Sequence, residues 1–504
     1  MILKKTVITT LFAIAICQSA SASGGDVTVA DQFSAQVQQL KQQLAAMEVR
    51  HDAQIAALRN EDGDRWLTQQ RADEIREIVK DVLADSESRS NLQGAEVTAG
   101  WNKGFMIASA DGNFKMVVSG QIQSRFSYNY QPASNRTAGN QSPSDEYGFE
   151  MRRVKLGFEG NVLDPSWTYR VRFSFNQNAP IRQSPGRNQD TSNSAVLEEV
   201  VLRKNFGNGW TVRAGQWKSK FNYEESVSSS VQQFVERTLV GQYFKTGFIQ
   251  GIELLYETAN WRANVNYNDG GGDSNVGVVG TASASDNTAQ WATAGRAELK
   301  LAGEWKQFSQ MMSFRGSDDG MQIGAAYNWQ RGGGNNQLNP GFVGNSDGMN
   351  ISYNTDFNAR LNGASFFASF LGNSFYSRPD GAAPVNSYGV VVQGGYFINN
   401  DVELAARWEW MNVSGGTTNV DSSPTPGSAS AINAQHFSIY TIGATYYISK
   451  NAIKLAGDIG YVAGAVLFSN GLYNQAIAGA DYRSDQTSDS SGQMVVRVQL
   501  QLLF

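Results

Sequence analysis

The sequence predicts an all-β fold: a sixteen-stranded antiparallel transmembrane β-barrel preceded by an N-terminal α-helical coiled coil. Three observations predict it. From Lys115 to Phe504 apolar and polar residues alternate with period 2, in runs long enough for a tilted strand to cross a bilayer. The connections between runs alternate between short and long, as the turns and loops of an outer-membrane barrel do. No apolar run approaches the roughly 20 residues of a membrane helix, so any crossing falls to strands whose backbone groups pair with one another.

The first element is a leader. Lys4-Lys5 precede an apolar run from Thr6 to Ile16, and Ala20-Ser21-Ala22 follow it. A charged region, a short apolar region and a small-residue cleavage site make residues 1–22 a secretory signal peptide. The single cysteine, Cys17, lies inside it, and the bulky Ile16 before it disfavours lipidation. The processed chain then has no thiol and no disulfide to form.

Residues 27–60 follow as a coiled coil. Phe33, Val37, Leu40, Leu44 and Met47 recur at spacings of four and three, the a/d seam of a heptad repeat. The pattern runs through His51, weakens at Gln54 and Ile55, and recovers at Leu58. The narrow seam between polar flanks favours self-association over packing onto a domain. Asn60-Glu61-Asp62-Gly63-Asp64 breaks the helix. Residues 65–100 then carry a second helix, on Ile75, Ile78, Val79 and Val82, and a linker.

The barrel domain occupies residues 101–504. Val118, Ile122, Phe126, Tyr128 and Tyr130 alternate with Gln121, Gln123, Arg125 and Asn129; Trp167, Tyr169, Val171 and Phe173 alternate with Thr168, Arg170, Arg172 and Ser174. The same pattern recurs through Gln493–Phe504, where Met494, Val496, Val498, Leu500, Leu502 and Phe504 share one face. Sixteen runs begin near residues 115, 147, 166, 196, 209, 248, 259, 290, 321, 350, 363, 386, 401, 436, 451 and 492. Tight turns such as Asn362-Gly363 and Asn399-Asn400 alternate with long segments at 131–146, 177–195, 218–247, 331–349, 413–435 and 464–491. One connection, 302–320, is long where a short turn is expected. Tyr128, Tyr130, Trp167, Tyr169, Trp408 and Trp410 gather toward strand ends, where aromatic girdles sit.

Three stretches resemble a known family. Trp101-Asn102-Lys103-Gly104-Phe105, with Asp111 to Lys115 and Ser119 to Gln123, resembles the opening of the phosphate-selective porin O and P family. Glu150-Met151-Arg152-Arg153-Val154-Lys155-Leu156-Gly157-Phe158 resembles its paired-arginine second strand. Arg213-Ala214-Gly215-Gln216-Trp217-Lys218-Ser219-Lys220-Phe221, running on to Glu224-Glu225-Ser226 and Phe234 to Leu239, resembles its inward-folded loop. Weaker likeness continues through Gln393 to Phe397, Glu403 to Arg407 and Phe504. The resemblance covers roughly residue 100 onward. It implies a homotrimeric porin in outer-membrane lipid, with Phe504 read by the barrel-assembly machinery.

With polar faces turned to the lumen, the pore-lining basic residues are Arg125, Arg153, Lys155, Arg170, Arg172, Arg213, Arg262, Arg296, Lys300 and Arg407, joined by Arg360, Lys454 and Arg497. Glu159, Glu253, Glu257, Glu298, Asp356, Glu403, Glu409 and Asp458 oppose them. Strand alternation sends Arg153 inward and Arg152 outward, to an interface or subunit contact. Loop 218–247 narrows the pore with Lys218, Lys220, Glu224, Glu225, Glu236 and Arg237, which either meet the solute or fasten the loop to the wall. Guanidinium groups in a channel favour anions.

The expected function is passive diffusion of small hydrophilic solutes, with anion preference. The alternatives are a phosphate or polyphosphate channel, and a structural anchor whose periplasmic coiled coil meets peptidoglycan or a periplasmic partner. The net charge of −5 argues against a nucleic-acid partner. His51 and His436, the two histidines, stand far apart, so neither metal, cofactor nor enzyme chemistry is expected.

Overall fold

The computed structural model describes residues 97–101, 104–132, 144–175, 196–270, 289, 291–331, 349–376, 384–414, 416–418, 430–432, 435–464, 482 and 492–504, with isolated helical positions between 42 and 53. The signal peptide, the second helix and nearly all of the coiled coil lie outside the described residues.

Sixteen strands close into one antiparallel barrel: β3 (Lys115–Gln131), β4 (Ser144–Val162), β5 (Asp164–Ser174), β6 (Val196–Gly207), β7 (Trp210–Lys218), β8 (Phe248–Glu257), β9 (Trp261–Asn268), β10 (Trp291–Ala302), β11 (Gly320–Arg331), β12 (Met349–Leu361), β13 (Ala364–Tyr376), β14 (Val385–Phe397), β15 (Val402–Val413), β18 (Gln435–Asn451), β19 (Ile453–Gly464) and β20 (Met494–Leu503). Every observed start falls within three residues of the one read from the alternation. Closure comes from β20 on β3, with Met494 opposite Tyr130 and Leu502 opposite Ile122. A short hairpin, β1 (Val97–Trp101) and β2 (Phe105–Ser109), extends this edge, β2 pairing with β3 at Lys115 to Val118. A second hairpin, β16 (Gly416–Thr418) and β17 (Ser430–Ile432), belongs to the segment between β15 and β18.

The alternation does what its period requires. In β20, Met494, Val498, Leu500 and Leu502 are exposed on the outer surface, whereas Arg497, Gln499 and Gln501 are buried inside. This is the reverse of a soluble sheet, because lipid covers the outer face. Tight turns join strands at one end: Asn362 and Gly363 both take positive φ, 32° and 96°, the mirror-image turn that suits strand twist. At that same end the long connection 303–319 departs from the rule. It forms a 3₁₀ turn at Trp305–Ser309 and buries Phe308, Met311 and Met312.

Candidate functional site

The segment between β7 and β8 does not stay at the rim. It carries two short α-helices, α1 (Tyr223–Ser226) and α2 (Leu239–Tyr243), with a 3₁₀ turn at Ser229–Val231 between them. It bonds to inward-facing residues of strands on both sides of the barrel closure, which places it inside the lumen. Val235 N donates to Asp458 Oδ2 (3.0 Å) and Val240 N to Glu409 Oε2 (3.0 Å). Gln233 Nε2 donates to Ser365 Oγ (2.7 Å) and Glu403 Oε1 (2.6 Å). Lys454 Nζ reaches Gln232 O (2.8 Å) and Gln501 Nε2 reaches Ser230 O (2.9 Å).

Its firmest attachment is one carboxylate. Glu236 accepts from Arg125 Nη1 (3.0 Å), Arg152 Nε (2.5 Å) and Arg153 Nη2 (3.0 Å), while its carbonyl accepts from Arg407 Nη1 (2.9 Å). Both members of the arginine pair therefore face inward, which corrects the alternation reading that turns Arg152 outward. The cause is a β-bulge. Gln123 pairs with Arg153 but Ser124 pairs with Met151, leaving Arg152 as the extra residue. Glu150 and Arg152 point in before the bulge, and Arg153 and Lys155 point in after it. Burial alone pushes the Glu236 carboxyl up, but the guanidinium groups of Arg152, Arg153 and Arg125 outweigh it and hold it well below the ordinary range.

Other members of the loop serve the loop itself. Glu224 accepts from Thr238 N (2.9 Å) and Thr238 Oγ1 (2.5 Å), and Arg237 donates to the carbonyls of Glu224 (3.1 Å) and Val227 (2.7 Å). Glu225 is buried beside them. Lys218 lies over the Phe248 ring at 5.3 Å. Lys220 is half-buried; burial, reinforced by Arg213, lowers its pKa to about 8.

An apolar plug fills one side of the lumen. Phe221, Tyr223, Leu239, Val240, Tyr243 and Phe244 of the loop pack with inward-facing Phe367, Leu371, Val391, Met411, Phe437 and Val462. Connection 303–319 supports it from the opposite end. Met311 N donates to Val231 O (3.1 Å), Tyr223 Oη to Phe308 O (2.7 Å), and Arg360 Nη2 to Gln310 O (2.8 Å). Arg360 thus braces the plug.

The opposite arc, β4 to β10, carries most of the other basic residues, seven of them paired with carboxylates. Lys155 pairs with Glu198; Arg170 with Glu159 (2.8 Å) and Glu199 (3.7 Å); Arg172 with Glu199 (3.8 Å). Arg213 meets Glu253 (2.5 Å) and lies 4.6 Å over the Trp217 ring. Arg262 pairs with Glu298, Arg296 with Asp356 (2.8 Å) and Glu298 (3.0 Å), and Lys300 with Glu304 (3.4 Å). Across the lumen, Arg407 stands 3.6 Å from Glu409. Arg170 and Arg172 keep about a third of their side chains exposed, 32% and 33%.

Glu198, Glu199 and Arg203 are absent from the sequence reading. A second bulge, with Arg172 opposite Glu199 but Phe173 opposite Leu197, turns both glutamates inward. Two adjacent glutamates in an alternating run carry no mark of it. Arg203 had a signal: it alternates with the outward-facing Leu202, and it stands opposite Arg213.

A closed sixteen-stranded barrel with an apolar belt, a polar lumen and an inward-folded loop defines the class of outer-membrane channels for small solutes. The chain belongs to the family of phosphate-selective porins O and P, whose model matches residues 120–456, more than half of the chain. No curated protein matches it. Among solved structures it is similar to OmpT of Vibrio cholerae (10% identity, 77% of this chain and 97% of that one, TM-score 0.47). It is also similar to an anion-selective porin from Comamonas acidovorans (11%, 77% and 99%, 0.48) and to the outer-membrane channel DcaP of Acinetobacter baumannii (15%, 81% and 100%, 0.46).

Proposed function

We propose that this outer-membrane channel passes small hydrophilic solutes with a preference for anions, along the β4–β10 side of its lumen. The observation that carries this is the group formed by Lys155, Arg170, Arg172, Arg203 and Lys220 on the arc facing away from the plug. Arginine stays charged at any working pH and offers a planar fork of donors to carboxylate-like and phosphate-like oxygens. The Arg125–Arg152–Arg153 trio already shares Glu236, and Arg125 also meets Glu150, which favours a general anion path over a dedicated phosphate channel. A homotrimer embedded in outer-membrane lipid, with residues 27–60 as a periplasmic coiled coil able to meet peptidoglycan, completes the proposal.

The test is the zero-current potential of the purified protein in a planar bilayer under a potassium chloride gradient. A sign set by chloride supports the reading, and a sign set by potassium sinks it.

A further inference from the structure

We propose that Arg203 is the specificity-determining residue of this pore, making an oxyanion site on β5–β7 instead of at the Arg152–Arg153 pair. The proposal rests on the anion-preferring reading above and narrows it to one place.

Arg203 sits directly opposite Arg213 in the β6–β7 register and opposite Thr168 in the β5–β6 register. Like charges opposed across strands are unfavourable unless something else compensates them. Arg213 is compensated: its guanidinium lies on Trp217 and meets Glu253. Arg170, one diagonal step away, is held by Glu159. Arg203 differs from both, since among the described residues no carboxylate stands within 4.0 Å of it. It is half-buried on the inner wall, and the charges that act on it are those of Arg170 and Arg213, opposed by Glu199 and Glu159.

The family-like pair is built the other way. Arg152 and Arg153 are buried, Glu236 already accepts from both, and Gln123 accepts from Arg153 as well. A small oxyanion arriving along the wall therefore finds the missing counter-charge position at Arg203, flanked by the partly exposed Arg170 and Arg172. Glu159 and Glu199 on the same wall keep the surroundings mixed in sign, which favours brief occupancy over trapping. A planar guanidinium can hold two oxygens of one anion; an ammonium offers charge without that fork.

The experiment uses the full-length protein in planar bilayers, with zero-current potentials in potassium chloride and block of the chloride current by inorganic phosphate. Arg203→Gln is expected to lower the anion-over-cation permeability ratio about five-fold, the effect of one unit charge at close range in water, and to abolish phosphate block. Arg203→Lys is expected to keep the ratio and lose the block. Heat-modifiable migration on gels establishes that each variant is folded, and Arg203→Lys carries the test if the glutamine variant does not assemble. If the parent prefers anions and both variants behave like it, the assignment is overturned while the anion-preferring reading stands. The assignment also fails if Arg152→Gln, and not Arg203→Gln, abolishes the block. A parent that prefers cations overturns both.

Discussion

The ring of Phe504 lies on the bare backbone of Gly120. Gly120 N donates to Phe504 O at 2.6 Å and Phe504 N to Gly120 O at 3.1 Å. A Cβ at position 120 would stand 2.2 Å from the ring's Cζ. The barrel seam is thus closed at its end by one glycine and one aromatic ring. Gly120→Leu should displace the ring and loosen the seam by about 1–3 kcal/mol, the usual range for overpacking. Heat-modifiable gel migration would show unfolding at a lower temperature; an unchanged transition would separate the ring contact from seam stability.

Glu236 is the latch of the inward-folded loop. Glu236→Gln leaves three guanidinium groups without their shared carboxylate, at a cost of about 3–5 kcal/mol for a broken buried ion pair. Single-channel records should show noisier open levels and higher conductance. The sign with pH follows from the lowered carboxyl pKa. The latch is fully present above the ordinary value of 4.5 and is lost only as pH falls through the lower folded value. Open-channel noise in the parent should therefore stay flat from about pH 7 down to about pH 4.5.

Lys220 gives the opposite dependence. Its pKa of about 8 means that the ammonium charge disappears as pH rises through that value. Arg213 and Arg262 face it with the same sign, Glu253 and Glu298 with the other. Anion preference should decline between about pH 7 and about pH 9. Lys220→Arg, whose charge does not titrate there, should flatten the profile in zero-current potentials.

Connection 303–319 should matter to conductance although it lies at the end where other turns are tight. Replacing residues 304–315 by a short turn removes Met311 and Phe308 from beneath Val231 and Tyr223. The lumen is expected to widen, with a rise in single-channel conductance and proteolytic sensitivity of the loop. Unchanged conductance would mean that the plug stands without this support.

The side of the lumen that conducts can be mapped with thiols, because Cys17 is the single cysteine and lies in the segment read as a leader. An Arg172→Cys thiol on the open arc should react rapidly with a charged methanethiosulfonate reagent and reduce current. A Ser369→Cys thiol, at a site buried beside Asn354, should react slowly. Equal rates would contradict the off-centre path.

Strand order, strand starts and the faces of Arg125, Arg153, Lys155 and Arg497 were legible in the sequence because period 2 is a local property. Arg152, Glu198 and Glu199 were not. Their direction depends on a register shift that the partner strand sets, and one chain segment does not record it. The length of 302–320 was visible as an exception, whereas its inward course depends on packing between Met311 and Val231, residues 80 apart in numbering. Glu236 and Arg237 look alike as neighbouring charged loop residues. Only the fold gives one to the wall and the other to its own loop's carbonyls.

The plug separates two quantities that strand number would otherwise tie together. Sixteen strands set the circumference that lipid must cover, but the free cross-section is whatever Phe221, Tyr223, Val240 and Phe244 leave open against the far wall. Permeability can then be retuned by exchanging a few loop residues while the membrane-facing surface stays untouched. The same outer shell can house a wide or a narrow passage.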